Sequence, residues 1–423
     1  MFGFGKRKEK AAAGSGTAAS YFPGGTATWT PRDYDNFAKE AYMKNDIAFR
    51  CIDMIAKSVS SIPWCLKKST PEGEIEVIKD PFLDVLKRPN PKQSWQTFLY
   101  NSVSFLLLNG NSFISRVSLS GGYNGGRVRE LHCHRPSRIT MDVDKATNTI
   151  LAYRYQQSAE KATVYPVEPV TGKCDMLQIK SFNPIDDIWG MAIVEPAARG
   201  IDTSNAATEW NKGLLDNQAR PGMLIFFERM LAEPVRKILK KDLVEFREGA
   251  KNAGKSLILE GANDAKPYSL SPVEMDFTEG ANHTDRKIAS AFGVPPQLLN
   301  IKGDSTFANY EQARQVFWED TVIYYLSLFK SELNSWLFFN DASGIYLDYD
   351  IENVPALAYR QEKKWERASK ATFISPNEKR ELTGYDAKEG EGYDAIYMPA
   401  SEIPIGADLI VDETPPVGDE GVL

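Results

Sequence analysis

From Tyr310 to Leu337 neither proline nor glycine interrupts the chain, and the pattern predicts one helix of about 40 Å. Its middle runs Val316-Phe317-Trp318, then Thr321 to Leu326, then Leu328-Phe329, and is apolar on nearly every face. A helix of that kind needs neighbours on several sides. Glu319, Asp320 and Lys330 interrupt it, so it is too short in apolar run to span a bilayer. Upstream, Phe292-Gly293-Val294-Pro295-Pro296 closes an earlier helix: Gly293 can turn left-handed past a helix end, and the prolines cannot continue it. Between the two helices, Lys302-Gly303-Asp304-Ser305-Thr306 has no apolar period and reads as a loop. Asn309, with Gln312 three residues on, has capping-box spacing and is predicted to start the long helix.

Helical and two-residue periods alternate along the rest of the chain, which predicts an α+β protein. Ile47, Cys51, Met54, Ile55 and Val59 recur at helical spacing until Ile62-Pro63, and Trp64-Cys65-Leu66 reads as a strand. Asp80-Pro81-Phe82 opens a second helix that Arg88-Pro89-Asn90-Pro91 stops. A third carries Trp95, Phe98, Leu99, Val103, Leu106 and Leu107 and ends at Gly110. From Asn111 to about Phe182 the period is two, with strands over 113–117, 128–131, 139–141 and 151–155 and a hairpin turn at 121–126. A helix begins at Glu195-Pro196, rich in Ala, Asn, Thr and Ser, and ends at Arg220-Pro221-Gly222. Its small residues suit close approach, to copies of itself or to an ordinary neighbour. A small α/β unit follows (strand 223–227, charged helix 233–248, strand 257–259), and a shorter helix leads to Gly293. Beyond the long helix come a strand over 344–349, a charged helix over 360–370, and another from Pro376 to Gly384.

With 423 residues and 42% hydrophobic content, the chain can build two or three cores. A net charge of −7 argues against a tight grip on nucleic acid, which needs clustered Lys and Arg. Residues 1–30, small and polar with a basic start, are predicted to be a disordered arm without a secretory signal, and 399–423 an acidic flexible tail. Cys51, Cys65, Cys133 and Cys174 fit no disulfide or metal spacing and read as buried thiols in a reducing cytosol. His132 and His134 share a strand face, but zinc needs three or four ligands and only His283 remains, so both read as structural.

Gly249-Ala250-Lys251-Asn252-Ala253-Gly254-Lys255-Ser256 matches the phosphate-loop pattern letter for letter. That chemistry requires strand, loop, helix, so that loop amides and the helix's positive end converge on phosphate. Here a helix precedes the string and a strand follows, so it reads as an ordinary loop. No residues pair as acid and base or as nucleophile and base. No catalytic residue, cofactor or metal is expected.

Ala-Phe-Gly-Val-Pro-Pro followed by Leu298-Leu299, a short polar loop, Asn309, Glu311-Gln312 and a long helix is similar to the signature of portal proteins of tailed double-stranded DNA bacteriophages, the lambda-like long-tailed kind. The Arg88-Pro89-Asn90-Pro91 turn between helices and Gly110-Asn111-Ser112-Phe113 extend the resemblance, which covers roughly residues 40 to 400. It implies a wing (31–193), a first stem helix (194–218), an α/β clip (219–272), a second stem helix (273–299) and a tunnel loop (300–308). A long wing helix with its strand (309–350) and helical crown (351–398) complete the architecture. The implied assembly is a dodecameric ring at one capsid vertex of the virion, built in the host cytoplasm with no membrane. Its partners would be the large terminase subunit, the major capsid protein or scaffold, a head–tail connector, and double-stranded DNA held only transiently. Lys302, Gly303, Asp304, Ser305, Thr306 and Phe307 would face DNA. Val316, Phe317, Trp318, Ile323, Tyr324 and Leu328 are the expected contacts between subunits. Members carry a proline in the long helix near the position of Tyr324; this chain has none, which leaves a kink there open. The competing readings are a nucleotide-binding enzyme using Gly249 to Ser256 and a capsid-assembly protein without a channel.

Overall fold

The computed structural model describes residues 33–397, apart from 72, 119–126, 145, 217–222, 227–233, 235–263, 268–276, 302–306, 339–343, 352–353, 391 and the side chains of a few more. The predicted arm, acidic tail, 121–126 turn, 233–248 helix, 257–259 strand and the string Gly249 to Ser256 all lie outside the described residues.

Caps decide where the helices begin. Asp33 accepts from the amide of Asn36 at 2.9 Å, opening α1 (Tyr34–Asn36), which runs on as a π-helical segment over Phe37–Tyr42. Asn45 caps α2 (Asp46–Ser60) through the amide of Ala48, also at 2.9 Å. Asp80 accepts from the amide of Phe82 ahead of α3 (Phe82–Lys87), and Ser94 caps α4 (Trp95–Asn109). Each cap satisfies an amide that the first helical turn leaves free. The apolar faces of α2 and α4 meet, burying Ile52, Ile55, Val59, Phe98, Leu99 and Leu106 in the main core.

The strands form three small antiparallel sheets around these helices. One has the order β11-β1-β2, from β1 (Trp64–Thr70), β2 (Gly73–Glu76) and β11 (Ile345–Tyr349). The second, β4-β3-β8, is built from β3 (Asn111–Ser118), β4 (Val128–His134) and β8 (Met176–Lys180). The third runs β5-β6-β7, from β5 (Ile139–Asp144), β6 (Thr149–Gln156) and β7 (Ala162–Pro166). A separate pair joins β9 (Met223–Phe226) to β10 (Asp264–Pro267). Phe113, Ile139, Tyr153, Cys174 and Met176 form a satellite core against Trp189.

Gly110 turns α4 into β3. Its φ is +74°, and a Cβ there would lie 2.4 Å from the backbone of Met191. The 181–190 loop is fastened at that place: Ser181 donates to Gly110 O at 2.8 Å, and Gly190 donates to Asn111 Oδ1 at 2.9 Å.

On β4, His134 Nε2 lies 2.7 Å from Ser115 Oγ and its ring packs on Tyr155, while His132 pairs with Glu130 at 2.9 Å. Burial, reinforced by His132, pushes the pKa of His134 down to about 4 from its ordinary 6.5. Between those values the unfolded chain takes up the proton and the folded chain does not, so stability falls as pH drops from 6.5 to 4. His134→Gln is expected to flatten that part of a plot of urea midpoint against pH; an unaltered slope would exclude this role.

Helix α5 (Val194–Asp216) packs along α6 (Phe277–Ala291), and Gly200 is what lets them close: a Cβ would sit 3.3 Å from Ile288 Cγ1. The small residues of α5 therefore serve at least one partner within the same chain. Asn205 ties α5 to the N-terminal segment, donating to Glu40 O at 2.9 Å and accepting from Asn45 at 3.1 Å.

The long rod is α7 (Phe307–Val316), a π-helical segment over Phe317–Val322, and α8 (Ile323–Leu337). Two expectations need correction. Asn309 is not the cap, because the helix already begins at Phe307. Nor is the apolar middle left for contacts between subunits: Phe317 and Trp318, with Val322, Leu326, Phe329 and Leu333, are buried in this subunit's main core. Helix α2, far away in sequence, and β11, shortly after the rod, cover that face. On β11, Asp348 accepts from Lys330 at 2.5 Å and Lys67 at 2.8 Å. Burial works to raise its carboxyl, but the two lysines outweigh burial and hold it below the ordinary value. Helices α9 (Ala358–Lys370) and α10 (Pro376–Leu382) end the described chain, the latter with a capping box between Ser375 and Glu378.

Candidate functional site

The predicted loop residues Lys302 to Thr306 lie outside the described residues, and Phe307 is described only as the first residue of α7. What the structure defines is the frame that holds the two ends. Helix α6 stops at Gly293, with φ +68°, and the chain turns through Pro295 into a 3-10 turn over Pro296–Leu299. Asn300 then takes a left-handed conformation at φ 56°. That conformation is uncommon outside glycine but tolerated by asparagine. Leu298 and Ile301 are buried on either side of it. The chain thus reaches residue 302 from an anchored point and resumes at Phe307 directly in the rod.

Two side chains tie this frame to its surroundings. Thr321, in the π segment, donates its hydroxyl to Gly293 O at 2.7 Å. A Cβ on Gly293 would fall 2.9 Å from the Thr321 oxygen, so the helix end and the rod touch where only glycine fits. Two residues earlier, Glu319 accepts from Arg360 at 3.0 Å and from the hydroxyl of Tyr359, both on α9. The Tyr359 hydroxyl first, and Arg360 with it, hold the Glu319 carboxyl below its ordinary value. The π segment is therefore joined on one side to the loop frame and on the other to α9. Neither tie could be read from spacing, since Thr321–Gly293 and Glu319–Arg360 are contacts across separate elements; Gly293 alone carried a local signal.

The six expected subunit contacts divide. Phe317 and Trp318 are buried, 2% and 7% exposed, within their own subunit. Ile323 and Leu328 are partly covered by the same core. Val316 and Tyr324 stand at the surface, 42% and 60% exposed, eight residues apart on one side of the rod with Asp320 between them. Among the described residues no group of three or more His, Cys, Asp and Glu is placed to hold a metal, and no helix is long and apolar enough to cross a membrane. The described strands flanking 227–263, β9 and β10, pair antiparallel.

Comparison with known proteins places this frame in context. The model of the family described as phage portal protein matches residues 46–384. An uncharacterized protein of Rickettsia bellii (strain RML369-C) is 35% identical over 348 residues, covering 82% of this chain and 88% of its own. The portal protein of Escherichia phage T5 is 23% identical over 370 residues, 86% of this chain and 85% of that protein. Among solved structures, a chain from the neck of a native gene transfer agent (GTA) particle computed with C12 symmetry superposes with a TM-score of 0.63 at 33% identity. That match covers 85% of this chain and 95% of the neck chain.

Proposed function

The chain belongs to the phage portal protein family, and on that premise we propose that copies of it close into a ring, a dodecamer, at one vertex of a capsid. Double-stranded DNA passes through the ring when a terminase motor packages it and again when it leaves. Helices α5 and α6 serve as the stem, the β9–β10 region as the clip toward terminase and the head–tail connector, and the strand-rich part with the rod as the wing. Helices α9 and α10 form the crown. The loop 302–307, hung between Ile301 and α7, faces the axis, where symmetry brings every copy together. No step of this role requires bond-making by the chain; its work is to hold a channel and meet the capsid, motor and tail.

The observation that carries the reading is the likeness to the neck chain solved with C12 symmetry, which spans 95% of that chain. Electron microscopy of the purified protein is expected to give closed rings with an axial hole. Light scattering that returned a stable monomer at micromolar concentration would overturn it.

The division of the rod sharpens the test. Phe317→Ala should lower subunit stability by about 3–5 kcal/mol, because it opens a cavity in the core. Tyr324→Asp should leave the unfolding midpoint near wild type and reduce the ring fraction, because its side chain is 60% exposed. Rings that tolerate Tyr324→Asp at every concentration would remove that side of the rod from the interface.

A further inference from the structure

The chain as a whole is acidic, with a net charge of −7, but α9 is not. It carries Arg360, Lys363, Lys364, Arg367 and Lys370 against only Glu362 and Glu366. At 3.6 residues per turn the five cations fall within about a third of the helix circumference. The two glutamates lie along one edge of that arc. Buried Ala368, and Gln361, which donates to Thr383 O at 3.5 Å, lie on the other side, toward α10. Lys363, Lys364, Arg367 and Lys370 are exposed.

A merely solvated helix disperses its charges, setting Glu four residues before Lys so that each pair attracts. Only Glu366–Lys370 does so here, at 2.5 Å. Arg360 with Lys363 and Lys364, Lys363 with Arg367, and Arg367 with Lys370 instead set like charges at three- and four-residue spacing. Such neighbours repel and weaken an isolated helix. The segregation thus runs against the helix's own stability, which is the pattern of a surface arranged for a polyanion. Among the described residues, carboxylates beside it are its own Glu362 and Glu366 and Glu319 on the rod, which holds Arg360.

We propose that the α9 stripe is a backbone-contact site for double-helical DNA, separate from the loop 302–307. The inference rests on the channel reading for the identity of the polyanion. From Arg360 to Lys370 the stripe is about 15 Å long, a straight run of cations that meets successive phosphates and reads no base. Arg360 belongs both to the stripe and to the Glu319 pair, so a phosphate that draws Arg360 away also loosens the tie between α9 and the π segment.

The test uses the full chain and a mixed-sequence DNA duplex of about 20 base pairs, with affinity followed by fluorescence anisotropy over about 50–200 mM salt. The combined variant Lys363→Gln, Lys364→Gln, Arg367→Gln is expected to bind at least about tenfold more weakly at low salt. The slope of log affinity against log salt should shrink by about 2–3, near 0.9 for each lost contact. Glu362→Gln, which adds no bulk, should tighten binding. All these side chains are exposed, and unchanged unfolding midpoints would exclude misfolding as the cause. Wild-type affinity and slope in the triple variant would overturn the proposal, as would a loss confined to one DNA sequence. Imaging of the same preparations keeps the two readings apart: rings with unaltered DNA binding sink the stripe alone, and stripe-dependent binding by a protein that forms no rings sinks the channel alone.

Discussion

Gly110→Ala is expected to lower the stability of the subunit by roughly 2–5 kcal/mol, the sum of a left-handed backbone penalty and an overpacked contact. Gly110 sits at φ +74°, and its added Cβ would lie 2.4 Å from Met191 C and 2.6 Å from the carbonyl of Gly190. Those atoms are backbone, so no side-chain rotation can make room. The neighbouring backbone is itself fixed, because Ser181 donates to Gly110 O and Asn111 binds Gly190 through both its amide nitrogen and its oxygen. Gly172→Ala is the matched control: its φ is +69°, yet nothing lies within 4 Å of the added carbon. It should cost only the conformational part, about 1–2 kcal/mol. Thermal unfolding of the two variants measures the difference. Equal losses would show that the α4–β3 corner can yield and that the 181–190 loop is not held against it.

Deleting residues 303–305, or replacing Lys302, should leave rings intact and abolish most of the DNA protected from nuclease inside particles. The frame does not depend on residues 303–305: Leu298 and Ile301 are buried in the subunit, and the Thr321–Gly293 bond joins the chain before the deletion to the chain after it. The exposed positions offered for subunit contact, Val316 and Tyr324, lie beyond the first turns of α7. On the proposed reading, replacing Lys302 takes away the side chain that would meet phosphate briefly, and the deletion takes away Asp304, which would limit the hold. Particle assays that gave broken rings, or full packaging at normal genome length, would assign the loop a structural part away from the channel.

Several helices were legible because their ends carry local chemistry. Ser94 and Gly110 bound α4 as a polar cap and a left-handed residue must, and Ser375 with Glu378 closes a complete capping box. Strands β3 to β6 were legible as short runs set off by Gly, Pro, Asp and Asn, whereas β2 is exposed on every residue and offers no inward face to detect. The rod shows the limit of periodicity. In sequence Phe317 and Trp318 suit a contact between subunits as well as a core, because the α2 residues packed on that segment lie more than 250 positions earlier. Asn309 misled for a smaller reason: its capping-box partner spacing is real, but the helix had already begun two residues before it. At the candidate site the turn that ends α6 was visible by Gly293. Glu319, Tyr359 and Arg360 were not, since nothing in a linear pattern pairs the middle of one helix with the start of another.

The π segment over Phe317–Val322 has a further meaning for how such chains diverge. A hydrogen bond to the fifth residue instead of the fourth accommodates one more residue than an α-helical turn does. Residues 317–322 therefore behave as a stored insertion: removing one of them would let the rod run as unbroken α-helix with the parts on either side kept nearly in phase. Proline and a π segment both interrupt the regular hydrogen-bond ladder and can bend a rod, so they are alternative ways of aiming its N-terminal end. In an alignment of relatives the two should exclude each other: chains with a one-residue gap opposite 317–322 are the ones expected to carry proline nearby.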